Sequence, residues 1–471
     1  MSASVAESLP PILTQLIRLT QAWALRRLVD WQLLQELRTR AILANHAFYY
    51  QHIPAYQNLA NQAGLNAAAD IAQVRQHLML PDEIFKSYNQ HWLDERNFNQ
   101  MNAWLSEIFH RRVEVDLAGV TSLDNWIERL DQHGIRLVYS SGTSGSFSFV
   151  PRDEANWSWF RMASACYLAS LLMYQKVGAW WQRLGVRLAS RWLAPQQFAA
   201  LAGSQGAADY DAFFLDFSAG RTGNQMLARE LSPLFRRHVF LYEAAFSPSV
   251  VRLVVRGART EEEQAQVTRL QALVVDKKEE NYRRVIQQIR VSCAAGQKVF
   301  IFGTPQLYSE LCLLVQQDAQ PIPLRPGSLL LFGGGWKTFT GEQISRPELL
   351  ARMSNAFQLP AERILEGYSM TEINAFMLRC DFGRFHIPPY IEPVLYQPDL
   401  SVMEPQTGRG ILGFLDPLAL AYPGFIISGD EVVLVNGDCP CGLSGPAVTE
   451  ISRASAREVK GCAGILTSVS A

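Results

Sequence analysis

The chain has no surplus of charge of one sign: 43 Lys and Arg against 44 Asp and Glu leave a formal net charge of −1. That excludes the global basic field of a nucleic-acid binder or of a protein held on an anionic membrane. Cysteine is scarce as well. Seven, an odd number and mostly scattered, make no disulfide framework, and a reduced, cytoplasmic protein is the expectation. Long apolar runs are missing. The most membrane-like one, Met162 to Tyr174, is bounded by Arg161 and Lys176 and falls short of the ~20 residues a spanning helix needs. The start, MSASVAESLPPILTQLIRL, carries an acid where a signal peptide is basic and has no compact apolar core. There is no fixed-period repeat and no low-complexity linker.

What is present is an ordinary globular composition, 48% hydrophobic and 18% charged, over a length that suits one large core or two to three domains. Residues 11–50 are expected to be helical, since Leu13, Leu16, Ile17, Leu19, Leu25, Leu28 and Val29 recur near helical spacing. Pro54 and Pro81 mark breaks. Residues 1–100 thus form a helical entrance layer. From Ile135 short β-rich runs ending in glycine alternate with helical patterns: IRLVYSSG, KVFIFGTP, SLLLFGGGW and RILEGYSMTE. Such text indicates an α/β core over residues 101–384, with loops gathered at the strand C-terminal ends, where ligands sit in open α/β sheets. Thr260 to Gly296 is a capped scaffold helix, with Thr260 at the cap and Glu263 three residues on. Residues 385–452 are β-rich and turn-rich, suggesting a barrel-like subdomain, and 453–471 are a short tail.

The segment VYSSGTSGSFSFVPRD (Val138 to Asp153) is the first candidate for chemistry. It lacks the Gly-Lys-Ser/Thr of a Walker loop and the Gly-x-Ser-x-Gly of a nucleophile elbow. Backbone N–H groups and the hydroxyls of Ser140, Ser141, Thr143 and Ser144 can surround a phosphate. Taken alone, such a run is more often a turn. In chain order, however, SSGTSG is followed by GGGWK, EGYSMTE, SGDEV and ISRASAREVKG. This ordered series over roughly 320 residues resembles the adenylate-forming enzymes. IFKSY (Ile84 to Tyr88), Ser148 where acyl-CoA synthetases usually carry Lys, GGGWK and EVKGCAG are closest to the acyl-protein synthetases, the long-chain fatty acid–luciferin-component ligases. CPCG (Cys439 to Gly442) is similar to a stretch of phenylacetate-CoA ligases.

The resemblance implies a large adenylate-forming α/β domain with a β-rich subdomain, using ATP and Mg²⁺ to activate a fatty or aryl acid. Negative charge builds on both reacting groups, so such a site needs oriented donors, a cation and a metal. Ser140, Ser141, Gly142, Thr143, Ser144 and Gly145 would cradle phosphate. Gly333, Gly334 and Gly335 would lie against adenine, with Tyr368 stacked on it and Ser369 and Thr371 in the same nucleotide loop. Glu372 would hold Mg²⁺, a hard ion suited to carboxylate oxygen; Asp430 would accept both ribose hydroxyls, and Arg453 would reach the ribose from a hinge. A helix-start acid, a tight turn, a core aromatic and a solvated arginine are the plain alternatives for Glu372, the glycines, Tyr368 and Arg453.

Only 18 residues follow Arg453, so the C-terminal lid that supplies a catalytic lysine in this superfamily is expected to be missing or vestigial. Lys337, then Lys460, are the candidates to offset charge at the α-phosphate. Cys462 would accept the acyl group as a thioester, Lys460 favouring its thiolate, as the acyl-protein synthetases use a near-C-terminal cysteine; an acyl-donor or acyl-acceptor protein is the implied partner. Against that stands the bland reading of a small buried cysteine. Cys439 and Cys441 can begin a metal site, but zinc asks for four ligands, with Cys380 and His386 as distant candidates; a turn fixed by Pro440 and Gly442 is the simpler expectation. Phe213, Phe214 and the 300–308 segment are the expected pocket walls, and His238 is a lone histidine without an assigned role.

Overall fold

The computed structural model describes residues 2–140, 146–174, 209–334 and 344–454. The strands, in chain order, are β1 (Leu80–Pro81), β2 (Arg136–Tyr139), β3 (Phe149–Arg152), β4 (Tyr210–Ala219), β5 (Arg237–Ala245), β6 (Lys298–Gly303) and β7 (Leu329–Gly333). They continue with β8 (Ile364–Tyr368), β9 (Met377–Leu378), β10 (Phe385–His386), β11 (Glu392–Tyr396), β12 (Gly408–Leu415), β13 (Phe425–Val435) and β14 (Ala447–Arg453). Two sheets and one hairpin organise them.

The first sheet has the order β5-β4-β6-β7-β8-β9, with every pair parallel except β8–β9. Its central strands are buried at successive positions, Leu329 through Gly333 without exception, which is why they appear in the sequence as unbroken apolar runs. One face is covered by the helices Lys278–Ala294, Pro305–Gln317 and Arg346–Phe357, whose Tyr282, Ile289, Leu311 and Met353 pack on Phe213, Ile301 and Leu330. The other face buries Phe214, Phe300, Phe302 and Leu331 with Trp23 and Tyr167. Phe213 and Phe214 therefore belong to the cores on opposite faces of the sheet, both fully buried, and not to the wall of an open pocket.

The second sheet, β10-β14-β13-β12-β11, is antiparallel, and β1 joins β13 in parallel. Its order is linear, so among the described residues the β-rich stretch 385–453 forms an open sheet where a barrel-like subdomain was expected. The N-terminal helices close one face: Leu13, Leu16, Ile17, Leu34 and Leu37 pack on Leu395, Leu412, Val432 and Leu434. The helix expected over 11–50 is two helices, Ser2–Ala24 and Trp31–His52. Asp30 accepts from the Leu33 N–H at 2.9 Å and starts the second one. Pro54 then opens the next helix as its first residue. Thr260 caps Glu261–Gln271 through the Glu263 N–H, but the Glu263 carboxylate accepts from Arg259 and not from the cap. A π-helical turn at Ala272–Asp276 separates this helix from Lys278–Ala294, and Gly296 at φ +68° ends the run. No helix among the described residues is long and apolar enough to cross a membrane.

Candidate functional site

The Ser/Gly-rich segment is flanked by the two strands of a hairpin. β2 and β3 pair from Arg136↔Arg152 to Tyr139↔Phe149, and beyond them the Ser140 N–H donates to the Ser148 carbonyl at 3.1 Å while the Ser148 N–H donates to Ser140 Oγ at 3.0 Å. Ser148, which stands where a lysine was looked for, is a closing residue of this hairpin, and Ser140 faces it. Residues 141–145, with Ser141, Gly142, Thr143, Ser144 and Gly145, lie outside the described residues. The IFKSY segment fastens the hairpin: the Tyr88 hydroxyl donates to the Phe147 carbonyl at 3.1 Å, and its ring lies 5.5 Å from Phe149. On the other side Tyr139 bridges to Thr222, just past β4. This end of the hairpin, at Tyr139, is thus held at the C-terminal edge of the parallel sheet.

The glycine loop and the Tyr-Ser-Met-Thr-Glu loop leave the same edge from adjacent strands, with Gly333 paired to Gly367. A Cβ at Gly333 would stand 3.2 Å from the Gly367 carbonyl oxygen, and Gly334 has φ +84°; both positions favour the absence of a side chain. Gly335 and Lys337 lie outside the described residues, as do Lys460 and Cys462. Past β8 the chain turns over a polar core that the sequence did not disclose. Arg152, 3% exposed, donates to the carbonyls of Thr371 at 2.9 Å and Ile373 at 3.4 Å. Its guanidinium lies over Trp157, Phe160 and Tyr422. Tyr422 in turn donates to the Glu372 carbonyl at 3.1 Å. Asn374 gives its backbone N–H and its side-chain amide to Asp416 at 2.6 and 2.9 Å. Asp416 is wholly buried, and burial raises its pKa against these donations and the Arg152 charge. Ser369 donates to the Ala375 carbonyl at 2.8 Å, so its hydroxyl closes the loop.

Asp430 comes from the other sheet. It sits on β13 opposite Arg453 on β14, 8% exposed. The Tyr368 hydroxyl donates to Oδ2 at 2.8 Å, and Arg453 NH1 lies 3.3 Å from Oδ1. Two residues proposed from motifs 62 positions apart in sequence are therefore in direct contact across the sheets. Burial, then the Asp430 charge, raise the Tyr368 pKa, so Tyr368 remains a donor. Its ring also rests against Phe385, 5.9 Å between centroids. The Arg453 side chain is largely exposed, and an ion pair so placed is a weak one.

Carboxylates crowd the junction. β1 lays Leu80 and Pro81 beside Ile426 and Ile427, bringing Asp82 within reach of Gly429. Asp82 is pushed up to about 8 by burial, by its hydrogen bond with Glu83 and by the charges of Glu83 and Glu372, with Lys86 acting the other way. Glu372 is 7% exposed. Asp82, Glu83 and Glu372 thus influence one another at the junction, and Glu372 is the acid that the motif reading expected to hold Mg²⁺.

Asp216, at the exit of β4, carries a pH signature of its own. Burial raises it to about 6, although its Oδ1 accepts from the Phe217 N–H and the Gln225 amide. Between an unfolded carboxyl's pKa of ~4 and that value the folded state holds the extra proton, so stability is lost as pH rises through this window. Asp216→Asn keeps both hydrogen bonds through its carbonyl oxygen and removes the titration. Its midpoint of thermal unfolding is expected to match the parent at pH 4 and to exceed it at pH 8; parallel profiles would disprove the assignment.

His238 is exposed near the start of β5, the edge strand, at the opposite end from these loops. Cys380, His386, Cys439 and Cys441 form a separate group, whose ligand atoms all lie within 4.8 Å of one another.

Residues 273–469 match the family model described as acyl-protein synthetase, LuxE. The likeness is to acyl-protein synthetases. Two curated proteins similar to the chain, each a long-chain-fatty-acid–luciferin-component ligase, come from Aliivibrio fischeri and Vibrio harveyi. Each is 23% identical, over 192 and 196 residues, and the matches cover 40% and 41% of the chain and 50% of either relative. The match spans about half the length of these relatives. A solved structure of an open conformation of 2-hydroxyisobutyryl-CoA ligase, in complex with 2-HIB-AMP and CoA, aligns over 88% of the chain and 74% of its own. It does so at 13% identity and a TM-score of 0.47. The acyl-protein synthetase match holds Gly333, Tyr368, Glu372, Asp430 and Arg453 but not the hairpin of Ser140.

Proposed function

We propose that the chain is an ATP-dependent acid–thiol ligase. The carboxylate of a fatty or aryl acid attacks the α-phosphorus of ATP, the bond to pyrophosphate breaks, and acyl-AMP forms. A protein thiolate then attacks the acyl carbon, a carbon–sulfur bond forms, and AMP leaves with the electron pair of the broken carbon–oxygen bond. The observation that carries this reading is the Asp430 carboxylate. It is poised by Tyr368 and Arg453 beside the edge where the hairpin tip and the glycine loop also open. A carboxylate with two oxygens in that place suits the two hydroxyls of a ribose.

In this reading Ser140 and the rest of the hairpin tip surround the phosphates, and Gly333 and Gly334 let the backbone approach the adenine. Thr371 and Ser369 order the loop that brings Glu372 to the metal. Mg²⁺ held by Glu372 would offset charge on the departing pyrophosphate. Lys337 is assigned to the α-phosphate and Lys460 to the thiol proton of Cys462, the acyl acceptor.

The experiment is ATP–pyrophosphate exchange against a panel of straight-chain and aryl acids, followed by intact mass. One acid class is expected to stimulate exchange and to add an acyl mass that disappears in Cys462→Ser. No exchange with any acid would overturn the enzyme reading. Exchange with undiminished acylation of Cys462→Ser would remove that cysteine alone, and a CoA thioester with unlabelled protein would make the chain a CoA ligase.

A further inference from the structure

We propose that Cys380, His386, Cys439 and Cys441 are a structural zinc site, separate from the nucleotide site and from any Mg²⁺. The ligands come as two pairs from two neighbouring turns. Cys380 opens the link between β9 and β10: its N–H donates to the Arg384 carbonyl, and the Gly383 N–H returns to its own carbonyl, both at 2.9 Å. His386 ends β10. Cys439 and Cys441 sit in the link between β13 and β14, where the Gly442 N–H donates to the Cys439 carbonyl at 2.8 Å and Gly442 has φ +86°. Because His386 pairs with Ala447 across β10–β14, the two turns lie side by side.

The spacing between ligand atoms agrees with one tetrahedral ion. Zinc–sulfur bonds of ~2.3 Å and a zinc–nitrogen bond of ~2.0–2.1 Å place two sulfurs about 3.8 Å apart and a sulfur and a nitrogen about 3.5 Å apart. Cys380 Sγ and Cys439 Sγ are 3.9 Å apart, and Cys441 Sγ and His386 Nε2 are 3.3 Å apart. A disulfide would need ~2.05 Å, and all three cysteines are free. Burial supplies a second, independent argument. His386 is 1% exposed, and its Nδ1 has no hydrogen-bond partner in the structure; its Nε2 faces the thiol of Cys441. The nitrogen of this buried imidazole that faces the cluster is Nε2, and the thiols of Cys380, Cys439 and Cys441 converge on it. Three thiolates and a neutral imidazole are a soft donor set suited to zinc and unlike the oxygen set of the acid junction. Binding would release the thiol protons.

The position explains what the ion would do. β9 pairs with Gly367 and Tyr368 on β8, and β14 pairs with Asp430 on β13. One ion bound to both turns would fasten the end of the first sheet to the end of the second, the two that carry Tyr368 and Asp430. The first helix is tied to the same turn, Trp23 donating to the Ser444 carbonyl at 2.7 Å and Arg26 to that of Cys441 at 3.3 Å.

The test uses the full chain purified under reducing conditions without chelator. One zinc per chain is expected by elemental analysis. After removal of metal, titration with Co²⁺ should give the visible d–d bands and thiolate charge-transfer of a tetrahedral site, saturating at one equivalent. Zn²⁺ should abolish those bands and raise the unfolding midpoint by about 5–10 °C. Cys441→Ser and His386→Gln should lose most of the bound zinc, and Cys312→Ser should keep it. Apo protein that keeps its native circular dichroism yet gives no cobalt bands would overturn the site, as would a disulfide within the cluster found by mass. Neither readout depends on acid activation, so failure here leaves the ligase reading standing, and the converse also holds.

Discussion

Asp430→Asn is expected to raise the KM for ATP about 100-fold in acid-dependent pyrophosphate exchange while leaving the fold intact. A hydrogen bond to a charged group contributes roughly 1.5–3 kcal/mol, and two ribose hydroxyls would each make one. The free enzyme already satisfies that carboxylate through Tyr368 and partly through Arg453. Binding therefore exchanges partners, and the lower end of the range applies, about two factors of ten at ~1.4 kcal/mol each. Tyr368→Phe removes a neutral donor and leaves the charge in place, so roughly a tenfold effect is expected. Arg453→Ala should be smaller still, because its side chain is mostly exposed and its pairing screened. The order Asp430 > Tyr368 > Arg453 is the diagnostic result. Initial rates at varied ATP and saturating acid read it directly, and an Asp430→Asn variant with KM within threefold of the parent would refute the ribose assignment.

That order could not be written from the sequence, although every member of it was visible there. The sequence showed the segments that leave one sheet edge because each follows an apolar strand and ends in glycine or small polar residues. Parallel strands buried on both faces advertise themselves in this way. Contacts between elements are another matter. Tyr368 and Asp430 meet where Arg379, just past β9 of the first sheet, bridges to Phe385 of β10 in the second, and no local pattern encodes that approach. The four residues of the proposed zinc site were each named from the sequence, but what was missing was their meeting, for the same reason. Cys380 and Cys439 are 59 residues apart, and only the β10–β14 pairing makes neighbours of their turns.

The closing of the first helix at Ala24 was missed for a local reason. Apolar spacing continues through Leu28 and Val29, but Arg26 adopts φ +54° and Asp30 competes for the backbone as a cap. A pattern of hydrophobicity records which face is buried, and a capping side chain decides where the helix starts again. Phe213 and Phe214 illustrate the opposite error. They were expected as pocket walls, yet on a parallel strand adjacent positions face opposite layers of helices, and both side chains are core.

Arg152 has the largest expected effect on stability, and nothing in its sequence context marks it. It is one arginine after a proline at the end of a short strand. In the structure it carries a buried charge that acts on Asp416, to which it is linked through Tyr422 and Asn374. Arg152→Ala would leave the Thr371 and Ile373 carbonyls without their donor, open a void among Trp157, Phe160 and Tyr422, and strand the Asp416 charge. Breaking a buried charge arrangement from one side costs about 3–5 kcal/mol. Arg152→Lys keeps the charge but loses the planar group that lies over three rings, so a cost of roughly 1–2 kcal/mol is expected. The decisive measurement is a double-mutant cycle by urea unfolding. With Asp416→Asn already in place, Arg152→Ala should cost at least ~1 kcal/mol less than in the parent, because no stranded anion remains. Equal costs in the two backgrounds would reduce Arg152 to a packing residue. Exchange activity should fall with Arg152→Ala even where the variant is folded, since the loop carrying Glu372 hangs from the two carbonyls that this arginine holds.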